Sequence, residues 1–105
     1  MNQFFQMDDR LGILLPLLNK EWHQYSAVEQ QTIVAAWENS RGHIPDRIKE
    51  LETTINVKQS KLDIEEDFVC SCQLNSEISE LASIINDLWI WYRMNQNVIE
   101  EKIHG

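Results

Sequence analysis

Residues 46–104 read DRIKELETTINVKQSKLDIEEDFVCSCQLNSEISELASIINDLWIWYRMNQNVIEEKIH, fifty-nine positions without a single Gly or Pro. Both strong helix interrupters are missing from the run. Its apolar residues recur at intervals of three and four. Ile48, Leu51, Ile55 and Leu62 mark one stripe, and Leu74, Ile78, Leu81, Ile85, Leu88 and Tyr92 mark another, the spacing that sets one side of a helix against a partner. One helix from Pro45 to Ile103 would be roughly 90 Å long at 1.5 Å per residue. The phase of the stripes argues against it. Prolonging the first stripe past Leu62 meets Glu66, Val69, Gln73, Ser76 and Glu80, whereas the apolar row restarts at Leu74 and Ile78. The sequence therefore predicts two helices that turn near residues 63–68 into an antiparallel hairpin. Ile55 then stands opposite Ile78, Leu51 opposite Leu81 or Ala82, and Ile48 opposite Ile85.

Working outward, the second arm outruns the first, since Pro45 falls beside Leu88 in this register. The overhang holds Trp89, Ile90, Trp91, Tyr92, Met94, Val98 and Ile99. Its side chains point around most of the helix and call for cover from residues 1–43. In that segment Phe4, Leu11, Leu18 and Tyr25 are seven apart, so residues 3–24 are expected to be mainly helical. Pro16 interrupts the pattern, leaving either one kinked helix or two short ones meeting near Leu15, with Gly12 four residues back easing a kink. Ser26-Ala27-Val28-Glu29 is a capping box that starts a further helix presenting Val28, Ile33, Ala36 and Trp37. That helix is expected to end by Arg41, with Gly42 in the left-handed conformation. Pro45 suits the first turn of the next helix, and Asp46 sits near its positive end. The expected fold is all-α: a long-helix hairpin over 45–103 with N-terminal helices packed on it, in one domain spanning 1–105.

A length of 105 residues suits one core. An apolar fraction of 43% with four Trp is too apolar for a disordered chain. A net charge of −8 opposes nucleic-acid phosphates and anionic lipid by bulk electrostatics, so neither nucleic acid nor membrane is expected as a partner. The start, MNQFFQMDDR, lacks the basic and apolar regions of a signal peptide, and no apolar run of about eighteen residues occurs. The expected location is cytoplasmic. Cys70 and Cys72, two apart on a helix, point to nearly opposite sides and read as reduced thiols.

Asp67-Phe68-Val69-Cys70-Ser71-Cys72-Gln73-Leu74-Asn75-Ser76-Glu77-Ile78-Ser79-Glu80-Leu81 resembles the second half of the UVR motif, a short helical hairpin of excision-repair subunits and some regulatory proteins. Arg47 to Glu52 resembles its first arm. Phe68, Ser71, Cys72, Leu74, Ile78 and Leu81 fit the pattern. Val69 stands where the motif has Glu, Asn75 and Ser76 stand where it has Arg-Asp, and the connection is longer. The resemblance covers roughly a third of the chain. It implies a protein-binding hairpin.

Candidate chemistry is sparse. Cys-Ser-Cys has no second Cys pair and no neighbouring His, so it reads as small side chains allowing close helix approach, not as a metal site. Asp63, Glu65, Glu66 and Asp67 lack the Gly and alternating ligands of a calcium loop and read as a solvated turn able to steer a basic partner. Arg41, His43, Arg47 and Lys49 make one basic patch, but Asp46, Glu50 and Glu52 beside them argue against DNA. His23, His43 and His104 share no motif spacing, and no phosphate loop or nucleophile elbow occurs. The sequence thus points to no enzyme and no cofactor. It points to an adaptor or regulator that binds protein through Trp89, Trp91, Tyr92 and Arg93, the residue types that dominate binding hot spots. The alternatives are a self-assembling homodimeric bundle and a small ligand-binding protein or enzyme with a pocket between helices.

Overall fold

Ser26 starts the first long helix as its spacing to Glu29 requires. Its hydroxyl accepts the Glu29 N–H at 3.1 Å, and the Glu29 carboxylate accepts the Ser26 N–H at 2.9 Å. Two amides without a partner inside the helix are thereby satisfied. The computed structural model describes residues 4–94. It is mostly helical, with α1 (Ala27–Gly42), α2 (Ile44–Ile64) and α3 (Phe68–Tyr92). The long helices α2 and α3 pack against each other across the three-residue connection 65–67.

The N-terminal segment departs from the helices expected of it. Among the described residues, 4–24 form neither a kinked helix nor two short ones. Phe5–Asp8 (β1) and Ile13–Pro16 (β2) pair antiparallel, with Phe5 opposite Pro16 and Asp8 opposite Ile13. The turn between them explains the outcome. Asp8 accepts the Leu11 N–H on its side chain at 2.8 Å and the Gly12 N–H on its carbonyl at 2.7 Å. Gly12 holds φ at 75°, which costs a residue without Cβ nothing. Pro16 ends β2, where a missing amide is tolerated, whereas a helix would have carried it in its interior. Leu11 and Ile13 are buried and Gly12 and Leu14 exposed, an alternation of period two hidden inside an almost continuous apolar run. A single 3-10 turn, Trp22–Gln24, leads into α1.

Gly42 also departs from expectation, since its φ is not positive. His43 keeps nearly helical angles, φ −87° and ψ −10°, so α1 passes into α2 through a one-residue joint. Pro45 makes that joint, because it has no amide to offer the Arg41 carbonyl. At the other end α3 stops at Tyr92 with Arg93 as its cap, short of the expected Ile103. Residues 95–103 of the expected second arm, Val98 and Ile99 among them, lie outside the described residues.

The core gathers where the strands, α1 and the adjoining ends of α2 and α3 meet. Trp37, Ile33, Ile44 and Leu88 are fully buried there, each worth about 1.5–3 kcal/mol or more in apolar burial. Three polar ties fasten the strands to the helices. Ser40 on α1 donates its hydroxyl hydrogen to the Leu14 carbonyl at 2.6 Å. Arg47 on α2 donates to the Leu11 carbonyl at 2.9 Å. Arg10 in the strand turn reaches α3, donating to Asp87 at 2.8 Å, Glu80 at 3.1 Å and Ser83 at 3.1 Å.

Candidate interaction surface on the helical arm

Leu51 is the last buried residue on α2 and Ile84 the first on α3. From Glu52 to Ser83 no residue is buried, and the molecule is 59 Å long against 24 and 22 Å across. The two helices therefore leave the core together as a projecting arm. A seam of half-buried Ile55, Leu62, Leu74, Ile78 and Leu81 holds it. The Lys58 ammonium closes that seam on the Glu77 carboxylate at 2.9 Å, and the Gln73 amide adds a bond at 3.3 Å. The Lys58 bond first and the Gln73 bond second pull the Glu77 carboxyl below the usual carboxylate range.

At the tip the acidic residues take separate roles. Asp67 caps α3 by accepting the Cys70 N–H at 3.0 Å, and Glu65 accepts the Asp67 N–H at 3.2 Å. These bonds fix the turn. Among the described residues no group of three or more His, Cys, Asp or Glu side chains is placed to hold a metal ion. Around the acidic turn the chain exposes large apolar side chains: Ile64 is 82% accessible, Phe68 79% and Val69 73%. A groove of about 410 Å³ runs beside them, lined by Ile64, Cys70 and Leu74 together with Lys61, Glu65, Gln73 and Glu77. Cys70 and Cys72 are both exposed free thiols, so they do not act as buried spacers between the two helices.

The four aromatic and basic residues singled out near the end of α3 divide into two pairs. Trp91 turns into the core and meets Trp37 edge-on, with centroids 5.5 Å apart. Tyr92 is half-buried beneath Arg41, whose guanidinium lies 4.6 Å from the ring centre and donates to the Tyr92 carbonyl at 2.6 Å. Trp89 and Arg93 face outward, Trp89 still touching Tyr92 edge-on at 5.6 Å. The basic patch is partly consumed by the fold as well. Arg41 serves Tyr92 and Glu38, and Arg47 serves Leu11 and Glu50.

Sequence reasoning missed Ile64, Phe68 and Val69 as surface residues. Their signal was present, since Ile64 stands off both stripes and Val69 lies past the phase slip, beside the acidic turn. No protein-family model matches the chain, no curated protein matches it, and no solved structure matches it. No helix among the described residues is long and apolar enough to cross a membrane.

Proposed function

We propose that this chain is a small protein-binding module, an adaptor or regulator that presents its helical arm to a protein partner. The arm is a hairpin in the register that sets Ile48 beside Ile85, Leu51 beside Leu81 and Ile55 beside Ile78. The observation that carries the reading is the projecting stretch 52–83, which buries no residue yet exposes Ile64, Phe68 and Val69. A pair of helices extended beyond its core adds surface without adding core, and exposed apolar residues clustered on it mark an interaction site. The resemblance of residues 67–81 to the UVR hairpin points the same way. The docking residues move outward from Trp91 and Tyr92, which pack internally, to the arm, Trp89 and Arg93.

The test is a photo-crosslinking side chain placed at position 68, compared with one at the exposed α1 position Gln31, in cells making the full chain. Discrete protein adducts at 68 and none at 31 are expected. Equal labelling at both positions, or none at 68, overturns the reading.

A further inference from the structure

We infer that the surface of α3 turned away from the core is a self-complementary seam on which a second copy of this chain docks antiparallel. The inference rests on the interaction reading above and names its partner. Between Phe68 and Trp89 this face carries Cys72, Asn75, Ser79, Ala82 and Asn86, at alternating steps of four and three residues. All five are exposed. That is the spacing of a two-helix seam, and no residue on it is charged. Every acidic residue of α3 lies elsewhere: Glu77 faces Lys58, while Glu80 and Asp87 hold Arg10. In a chain of net charge −8, a second copy meets least repulsion along this row.

The register follows from the ends. A two-fold axis through Ser79 brings Cys72 opposite Asn86 and Phe68 opposite Trp89 and Ile90. Phe68 is 79% accessible, Ile90 44% and Trp89 37%, so each copy's exposed aromatic cluster covers the other's. Small Ser79 and Ala82 let the helix axes approach at the centre. The same axis sets the exposed Arg93 of one copy beside position 65 of the other, at the acidic turn of Glu65, Glu66 and Asp67. Opposite charges meet at both ends of the seam, and this complementarity selects the antiparallel orientation over the parallel one. In a parallel pair, acidic turn would face acidic turn.

The experiment is sedimentation equilibrium of the full chain over a wide concentration range, with oxidative crosslinking alongside. Wild type is expected to form a dimer. Ser79→Glu, at an exposed position, is expected to leave the circular dichroism spectrum unchanged and to raise the dissociation constant by about a hundredfold, because it sets two carboxylates across the axis. Arg93→Glu weakens the dimer, and Glu65→Arg added to it restores association. Ser79→Cys with Cys70→Ser and Cys72→Ser crosslinks to itself, whereas Cys72 in the wild type does not. A monomer at every concentration overturns the inference, as does a dimer indifferent to Ser79→Glu or one that crosslinks through Cys72. Foreign adducts at position 68 on a monomeric chain overturn the self-pairing alone. Absence of any adduct there overturns the interaction reading as well.

Discussion

Trp37 on α1 and Trp91 on α3 meet edge-on, their ring centroids 5.5 Å apart and their planes at 62°. Trp37 is 1% accessible and Trp91 is half-buried against the same core. The contact ties the last turn of α3 to a helix some fifty residues earlier in the chain. Trp37→Ala empties the most voluminous fully buried position, and the expected loss is about 3–5 kcal/mol. Trp91→Ala should cost less, since part of that ring already meets water. Trp37→Phe should lie between, because the Trp37 indole N–H has no hydrogen-bond acceptor among the described residues and its removal abolishes a desolvation penalty. Urea unfolding of the three variants checks the order. A Trp37→Ala midpoint close to wild type would contradict the packing.

The strand turn offers a sharper test of the N-terminal fold. A Cβ on Gly12 would stand 2.5 Å from Nε of Arg47, which itself donates to the Leu11 carbonyl. Gly12→Ala must both hold an L residue at a φ of 75° and displace Arg47. The expected loss is about 2 kcal/mol. Gly42→Ala is the control, since nothing lies within 4 Å of its Cβ position and its φ is not positive. Thermal melts should separate the two variants clearly. In a helical N-terminus both changes would stabilise, because Ala is the better helix former.

That contrast marks where the sequence was readable. Ser26 and Glu29 carry their helix start in their own hydrogen-bonding groups, and Pro45 carries a joint in the amide it lacks. The turn at 65–67 was legible from the slip in apolar phase after Leu62. The strands were not, because Ile13-Leu14-Leu15-Pro16-Leu17-Leu18 is a nearly unbroken apolar run in which periods of two and 3.6 are indistinguishable. The seven-residue spacing of Phe4, Leu11, Leu18 and Tyr25 then favoured the wrong one. What distinguished the strand reading was Asp8 and Gly12 bracketing a turn, a signal outside the apolar pattern. Of the expected interaction residues, Trp91 and Tyr92 find on Trp37 and Arg41 the cover that the overhang calls for from residues 1–43. The sequence shows that the overhang needs cover from residues 1–43, but not which of the overhang's side chains that cover leaves outside.

Acid should loosen the arm through Glu77. Its folded-state pKa is depressed by the Lys58 bond first and the Gln73 bond second, while the unfolded chain titrates at the ordinary value. The stabilisation is therefore complete above the unfolded pKa of about 4.3 and is lost as pH falls through the lower folded value. Glu29, lowered chiefly by the Ser26 backbone N–H, acts in the same direction at the start of α1. Lys58→Met should flatten the acid limb of a plot of urea midpoint against pH, leaving the Glu29 part in place. An acid limb equally steep in wild type and variant would remove the pair from any role in holding the arm.

Phe68 tests whether the exposed apolar residues serve the fold at all. It is the first residue of α3, 79% accessible, and its neighbours Ile64 and Val69 are 82% and 73% accessible. Within a single chain this side chain is already in water and contributes little burial on folding, so in the monomeric Ser79→Glu background Phe68→Ser and Ile64→Ser should each shift stability by no more than about 0.5 kcal/mol. Asp67→Ala, at the preceding residue, removes the cap that accepts the Cys70 N–H and should cost about 1 kcal/mol. The three variants therefore separate a tip built for folding from one built for contact. Guanidinium unfolding reads the first property, and retention of the position-68 adduct in the Ile64→Ser background reads the second. If Phe68→Ser were to unfold the arm of that monomer as severely as the loss of a core residue, Phe68 would be packed within its own chain, and the arm would not be the surface through which this chain meets its partner.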